Sequence, residues 1–405
     1  MIMTAKEILN QAKSMQAELV KLRRALHQSA EVGFALSKTF EIVERELVAM
    51  GYAPEKCGKA GLVATLQGKK SGKTVLLRAD MDGLPIKEQS GLPFAAKNGN
   101  MHACGHDMHT AMLLGAARIL KSREKELVGA VRLMFQPAEE LLQGATDMIQ
   151  NGVLEPKIDA TFMLHILAGT ELPKGSVVVS SGGVSAPAVD FFTISLQGKG
   201  CHGAAPHEGV DPLTAAARVV LGLEQIVSRG LPAGTPAVLT VGALQAGTSA
   251  NVIPDKAEIK GTLRCFDEQT RAFIKKRLAE IAKGVGGAFR VKVKVRFDSG
   301  APALVNDEEL SKYGLECAKS LFDADMVYAS GQFASESGRQ IGGSEDFAYV
   351  AEKVPSLMIG ISAGTAKQGC LYPLHHPKAV FDEDILCLGS ALYASLAYHY
   401  ATKTY

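Results

Sequence analysis

The chain has no tryptophan, and aromatic residues of all kinds fill only 6% of its 405 positions. It also lacks a charge bias, since 44 lysines and arginines stand against 42 aspartates and glutamates for a formal net charge of +2. With no basic stripe and no aromatics interleaved among cations, nucleic acid is not an expected partner. No uninterrupted apolar run is long enough to cross a bilayer, so no membrane partner is expected either. A disulfide framework is missing too. The seven cysteines (Cys57, Cys104, Cys201, Cys265, Cys317, Cys370 and Cys387) are odd in number and irregularly spaced. That pattern reads as reduced thiols in a cytoplasmic protein. The opening Met1-Ile-Met-Thr-Ala-Lys-Glu7 holds no basic segment followed by an apolar core, so no secretory leader is expected. Hydrophobic residues at 47% and charged residues at 21% disfavour disorder.

What is present is concentrated histidine. Eight of the ten fall at His102, His106 and His109, at His165, at His202 and His207, and at His375 and His376. Only His27 and His399 stand apart. The segment Met101-His-Ala-Cys-Gly-His-Asp-Met-His109 adds a cysteine and an aspartate to three of these histidines.

A chain of this length is expected to fold as two domains. Ile8, Ala12, Met15, Leu19, Leu22 and Leu26 step by four and three, predicting one amphipathic first helix. Val75-Leu76-Leu77 and Val131-Arg-Leu-Met-Phe135 have strand character, and Thr110 to Leu120 reads as a buried helix between them. Strands alternating with helices predict an α/β catalytic domain with a mixed central sheet flanked by helices. Near residue 185 the pattern changes. Strands at 190–196, 237–242, 257–263 and 291–297, with helices at 215–226 and 269–281, give a β-α-β-β-α-β order, that of a small ferredoxin-like, split βαβ sandwich. The expected organisation is a discontinuous catalytic domain, 1–186 and 298–405, interrupted by an inserted α+β domain, 187–297.

In α/β sheets, ligands gather beyond the carboxyl ends of the strands. Asp80, Asp82, Glu139 and Glu140 all sit just past strand-like runs. Cys104 and His106 are spaced too closely to share a helix face, so both are placed on the loop entering the helix. A thiolate and an imidazole together suit a borderline-soft divalent metal. Asp107 reads equally as a helix cap or as a carboxylate behind a ligand. Glu139 and Glu140 follow Gln136-Pro137-Ala138 outside any helix, where adjacent carboxylates diverge. One can bind metal while its neighbour faces the water to be activated. Asp80-Met81-Asp82 fits the gripping of a ligating imidazole's far nitrogen, or simple turn capping.

Arg78-Ala-Asp-Met-Asp-Gly-Leu-Pro85, His102-Ala-Cys-Gly-His-Asp-Met-His109 and Phe135-Gln-Pro-Ala-Glu-Glu140 resemble the signature blocks of the binuclear metallo-amidohydrolases. That family includes the aminoacylases, hippurate hydrolases and indoleacetyl-amino-acid hydrolases. Gly198-Lys-Gly-Cys-His202, His207-Glu-Gly-Val-Asp-Pro212, Asn251-Val-Ile-Pro-Asp255, Gly343-Ser-Glu-Asp-Phe347 and Leu374-His375 extend the resemblance over nearly the whole chain.

The resemblance implies two divalent ions held by Cys104, His106, Glu140, His165 and His375. Zinc is favoured by the thiolate, with manganese, cobalt or nickel as alternatives. It implies Glu139 as general base and acid, Asp82 as a supporting catalytic carboxylate, and His202 steadying the oxyanion in a neighbouring subunit's site. Asn251 and Arg264 match substrate contacts, Arg264 being suited to an α-carboxylate, although a strand-end surface cation is the alternative. His109 and His102 are expected behind the ligands or as structural residues.

The implied reaction is attack of metal-bound hydroxide on the amide of an N-acyl amino acid carrying an acetyl, benzoyl or related group. The alternatives are a dipeptidase or carboxypeptidase on the same scaffold and a catalytically silent acyl-amino-acid binding protein. A homodimer through the inserted domain is implied, with a tetramer also compatible. Leu141-Leu-Gln-Gly144 and Ser29-Ala30 depart from the family pattern beside the site, which bears on substrate preference.

Overall fold

The computed structural model describes residues 3–329 and 343–402. The chain divides into two compact units, Met1–Ser185 with Val305–Gln340 and Tyr349–Tyr405, and Ala186–Leu304 with Ile341–Ala348. No helix among the described residues is long and apolar enough to cross a membrane.

The first unit is built on an eight-stranded mixed sheet. Its strands run in the order β1 (Glu55–Cys57), β2 (Gly61–Gln67), β4 (Val128–Gln136), β3 (Lys70–Asp80), β5 (Ala160–Leu167), Ser356–Ser362, β6 (Val177–Val179) and Val327–Ala329. The central strands β4, β3 and β5 are mutually parallel, and β2, between β1 and β4, is antiparallel to both. This is the mixed α/β architecture expected. Central parallel strands covered on both faces need continuous apolar runs rather than alternation. Val75, Leu76 and Leu77 of β3 and Leu133, Met134 and Phe135 of β4 are accordingly all buried. Parallel pairing aligns Asp80 with Gln136, so β3 and β4 end together and leave their following loops side by side.

Helices α1 (Ala5–Ser14), α2 (Gln16–Gln28), α3 (Ser37–Ala49) and α4 (His106–Ser122) belong to this unit. The single first helix expected from spacing is in fact two. Met15 leaves helical dihedrals at φ −97° and ψ 2°, and its N–H turns back to the carbonyls of Ala12 and Lys13. The apolar stripe runs through the break because buried Ile8, Ala12, Met15, Leu19 and Leu26 join one core. The C-terminal helix Leu386–Thr402 is buried on nearly every side, as a helix apolar all round must be. Its Tyr393 hydroxyl donates to the Arg78 carbonyl at 2.6 Å and accepts from the Leu164 N–H at 2.8 Å, fastening it to the sheet.

In the second unit, four antiparallel strands lie in the order Ala237–Ala246, Lys256–Cys265, Ala188–Gln197 and Lys292–Ala301. Phe192, Ile194, Leu196, Ile259 and Leu263 on one face join Val219, Leu223, Ile274 and Leu278 from helices Pro212–Leu223 and Glu268–Ala288 in a separate core. The helix expected over 215–226 is interrupted at Glu224, after which Gln225–Gly230 forms a short second helix.

Candidate metal centre

Five segments of the first unit converge beyond the carboxyl ends of β3, β4 and β5. Cys104 lies on the loop before α4, while His106 is the first residue of that helix rather than part of the loop. The turn between them requires glycine. Gly105 sits at φ +85°, and a Cβ there would come 2.1 Å from Ile166 Cδ1. His165 projects from β5, Glu139 and Glu140 follow β4, and His375 takes the left-handed conformation at φ +65°. The His375 N–H donates to the Ala103 carbonyl at 2.9 Å, which ties its loop to the one carrying Cys104.

Their donor atoms meet. Cys104 Sγ is 3.7 Å from His165 Nε2, and His375 Nε2 is 3.3 Å from Glu140 Oε1. His106 Nε2 lies 3.9 Å from both Glu139 Oε2 and Glu140 Oε1. Three overlapping sets each fall within 4.8 Å: Cys104, His106 and His165; Cys104, Glu140 and His375; His106, Glu139 and Glu140.

This donor set fits a pair of divalent ions. Neither ring nitrogen of His106 nor Glu140 Oε1 has a hydrogen-bond partner among the described residues, although all three atoms are buried. Such atoms are costly unless something else engages them. Burial pushes the Cys104 thiol up to about 12, with His106 pulling the other way. Burial pushes His165 down to about 3, so its imidazole is neutral. His165 Nδ1 donates to the Ile166 carbonyl at 2.7 Å, which turns the Nε2 lone pair toward Cys104.

The surrounding residues hold the donors. Asp82 Oδ1 accepts the backbone N–H of Glu139 at 3.0 Å, Oδ2 accepts that of Glu140 at 3.2 Å, and Oδ1 lies 3.5 Å from His106 Nδ1. Its burial outweighs the nearby His106 charge and raises its carboxyl above the usual range. Asp80 takes the other side. Its Oδ1 is 2.6 Å from His109 Nδ1, and Arg78 Nη1 donates to its Oδ2 at 2.7 Å. Burial alone would raise the Asp80 carboxyl, but the nearby His106 and Arg78 and the hydrogen bond from His109 win and hold it well below. His109 Nε2 accepts the Ile166 N–H at 2.9 Å, so both its nitrogens are occupied and neither is free for a metal. His376 stacks on Tyr372 with ring centroids 4.3 Å apart, turned to a different partner from His375.

Asp107 does not cap α4. The N-cap residue is Gly105, with no side-chain cap, and Asp107 Oδ2 instead accepts from Arg23 Nε at 2.6 Å and meets His27 Nδ1 at 2.8 Å. Sequence reading passed over Arg23 and His27. Their four-residue spacing places them on one face of α2, which was the available signal.

The remaining candidates lie in the second unit. His202 is exposed in a two-residue strand paired with Val252–Ile253, and its Nδ1 accepts the Ala204 N–H at 3.1 Å. Asn251 adjoins it, its carbonyl accepting the Gly203 N–H at 2.7 Å. Arg264 stands one residue from the end of its strand and donates from Nη1 to Ser344 Oγ at 2.8 Å.

Residues 76–399 match Peptidase family M20/M25/M40. An N-acetylcysteine deacetylase of Bacillus subtilis is 35% identical over 390 residues, covering 95% of this chain and 97% of its own. Thermostable carboxypeptidase 2 of Saccharolobus solfataricus is 34% identical, covering 98% and 99%. The crystal structure of a Bacillus subtilis dinuclear metal-binding peptidase of the M20 family superposes with a TM-score of 0.78 at 32% identity, over 97% of this chain and 100% of that one. The chain therefore belongs to Peptidase family M20/M25/M40.

Proposed function

We propose that the protein is a metal-dependent hydrolase that cleaves the amide bond of N-acyl amino acids. One observation carries the reading. Glu139, only 6% exposed, sets its carboxylate beside a cluster of thiol, imidazole and carboxylate donors, in a chain that matches an N-acetylcysteine deacetylase almost end to end. Cys104, His106, Glu140, His165 and His375 would hold two divalent ions. When bound, these supply Lewis acidity that polarises an acyl carbonyl and makes water a stronger acid. Zinc suits the thiolate best, and manganese, cobalt or nickel fit the same donors.

Glu139 takes the proton of the attacking water and passes it to the leaving amine. Asp82 fixes the backbone from which Glu139 and Glu140 project. With Nδ1 of His202 occupied as an acceptor, the neutral ring carries its proton on Nε2. That N–H is a donor for an oxyanion in the partner subunit's site. Asn251 and Arg264 contact the substrate, Arg264 through the α-carboxylate. The protein is assigned to the cytoplasm, as a homodimer through its second unit.

The test is a substrate panel of N-acetyl amino acids, N-benzoyl amino acids and dipeptides, run on chelator-stripped protein with each metal restored. Metal-dependent release of free amino acid from the acyl substrates supports the reading. Cleavage confined to dipeptides would replace it with the peptidase alternative, and binding without turnover with the silent binder.

A further inference from the structure

At the first turn of α4, through Asp107, lies a solvent-excluded group of charges. The side chains of Arg23, His27, Asp107 and Glu88 are each at most 1% exposed. His27 stands in the middle. Its Nδ1 is 2.8 Å from Asp107 Oδ2, and its Nε2 is 3.1 Å and 3.2 Å from the two oxygens of Glu88. Arg23 Nε shares Asp107 Oδ2, and Arg23 and Arg24 both reach Glu383. Phe94 meets the His27 ring edge-on at 5.5 Å, and His102 lies 6.2 Å away between ring centres. Arg23 Nη2 also lies 3.4 Å from Nδ1, but Asp107 is closer at 2.8 Å, and a ring with a carboxylate at each nitrogen satisfies both by donating from both, so His27 is an imidazolium. Three cations (Arg23, Arg24 and His27) then balance three carboxylates (Asp107, Glu88 and Glu383).

Each partner of His27 leads to a different donor. Asp107 follows His106 directly, so anchoring it fixes the rotation of the first turn of α4. Glu88 lies in the connection between β3 and α4, the same segment that carries Cys104. The next residue, Gln89, donates its N–H to the Pro377 carbonyl at 2.7 Å, two residues beyond His375. We infer that His27 is a positioning residue: a buried imidazolium cross-linking, through Asp107 and Glu88, the three segments that present Cys104, His106 and His375.

This inference rests on the proposed metal centre, and its test reads metal binding rather than hydrolysis. Zinc alone is titrated calorimetrically into the chelator-stripped full chain. His27→Gln is expected to weaken binding about tenfold, the low end for residues supporting a ligand from behind. Glu88→Gln keeps a hydrogen-bond partner but loses the charge, and is expected to weaken binding in the same direction. The double variant should be no weaker than the weaker single, because both act along one route. A purely structural role would instead lower the unfolding midpoint of the stripped protein and leave zinc affinity unchanged. That result in a folded His27→Gln overturns the inference. If His27→Gln does not fold, wild-type affinity in Glu88→Gln overturns it equally. Wild-type protein that binds neither zinc nor manganese, cobalt or nickel would overturn the metal centre itself. Zinc bound equally by wild type and variants would overturn only the role of His27.

Discussion

The Asp82 carboxylate holds the Glu139 backbone N–H at 3.0 Å and, with its other oxygen, the Glu140 N–H at 3.2 Å. One side chain thus sets the direction in which two adjacent carboxylates leave the loop after β4. Asp82→Asn keeps one acceptor and turns an amide NH2 against the other N–H. Turnover should fall about 10- to 100-fold, as for other supports of metal ligands. Steady-state kinetics at saturating metal, with circular dichroism to confirm folding, measures it. Unchanged kcat would show that the loop holds its shape without Asp82.

Glu139→Ala should remove at least about 10²-fold of turnover, the usual contribution of a general base. Metal content should stay near wild type, since five other donors remain. Kinetics paired with elemental analysis separates the two effects. Near-native activity would reject the assignment.

Cys104→Ala should lose metal, because Cys104 belongs to two donor sets, one with His106 and His165 and one with Glu140 and His375. Chelation of the wild type should abolish hydrolysis, and restoring metal should recover it. Metal at 100 times its Kd should also stabilise the fold by about 2.7 kcal/mol if it binds only the native state. Thermal unfolding with and without metal reads this. Full occupancy in Cys104→Ala would count against ligation.

His102 provides a pH signature independent of turnover. Burial pushes it down to about 4, and neither ring nitrogen has a hydrogen-bond partner among the described residues. The folded protein keeps this ring neutral while the unfolded chain protonates it near pH 6.5. Its contribution is therefore present above pH 6.5 and lost as pH falls toward 4, about 3 kcal/mol at about 1.4 kcal/mol per pKa unit. His102→Leu should show a flatter acid limb in urea unfolding of the stripped protein. Its stability at pH 7 should change little, because an unpaired buried ring is replaced by an apolar group. Parallel acid limbs in both proteins would refute this.

The sheet was legible because central parallel strands need unbroken apolar runs, and 75–77 and 131–135 are such runs. The break at Met15 was not legible. An apolar stripe reports which residues face the core, and Met15 continues it while its backbone leaves the helix. Of the two readings open for Asp107, the cap fails for a related reason. Helix-start chemistry is local, but its partners Arg23 and His27 lie some 80 residues earlier in the chain.

By itself, the sequence determined which donor types were available and that Cys104, Glu139 and Glu140 would lie outside helices and strands, because side-chain chemistry and strand periodicity are local properties. Choosing among neighbours took the tertiary structure. His109 and His106 share one motif, yet the Ile166 N–H and Asp80 occupy both nitrogens of the first, while those of the second have no hydrogen bond among the described residues. His375 and His376 are adjacent, yet one faces Glu140 and the other stacks on Tyr372. Which lone pair remains free depends on groups brought near by folding, and those groups are distant in sequence.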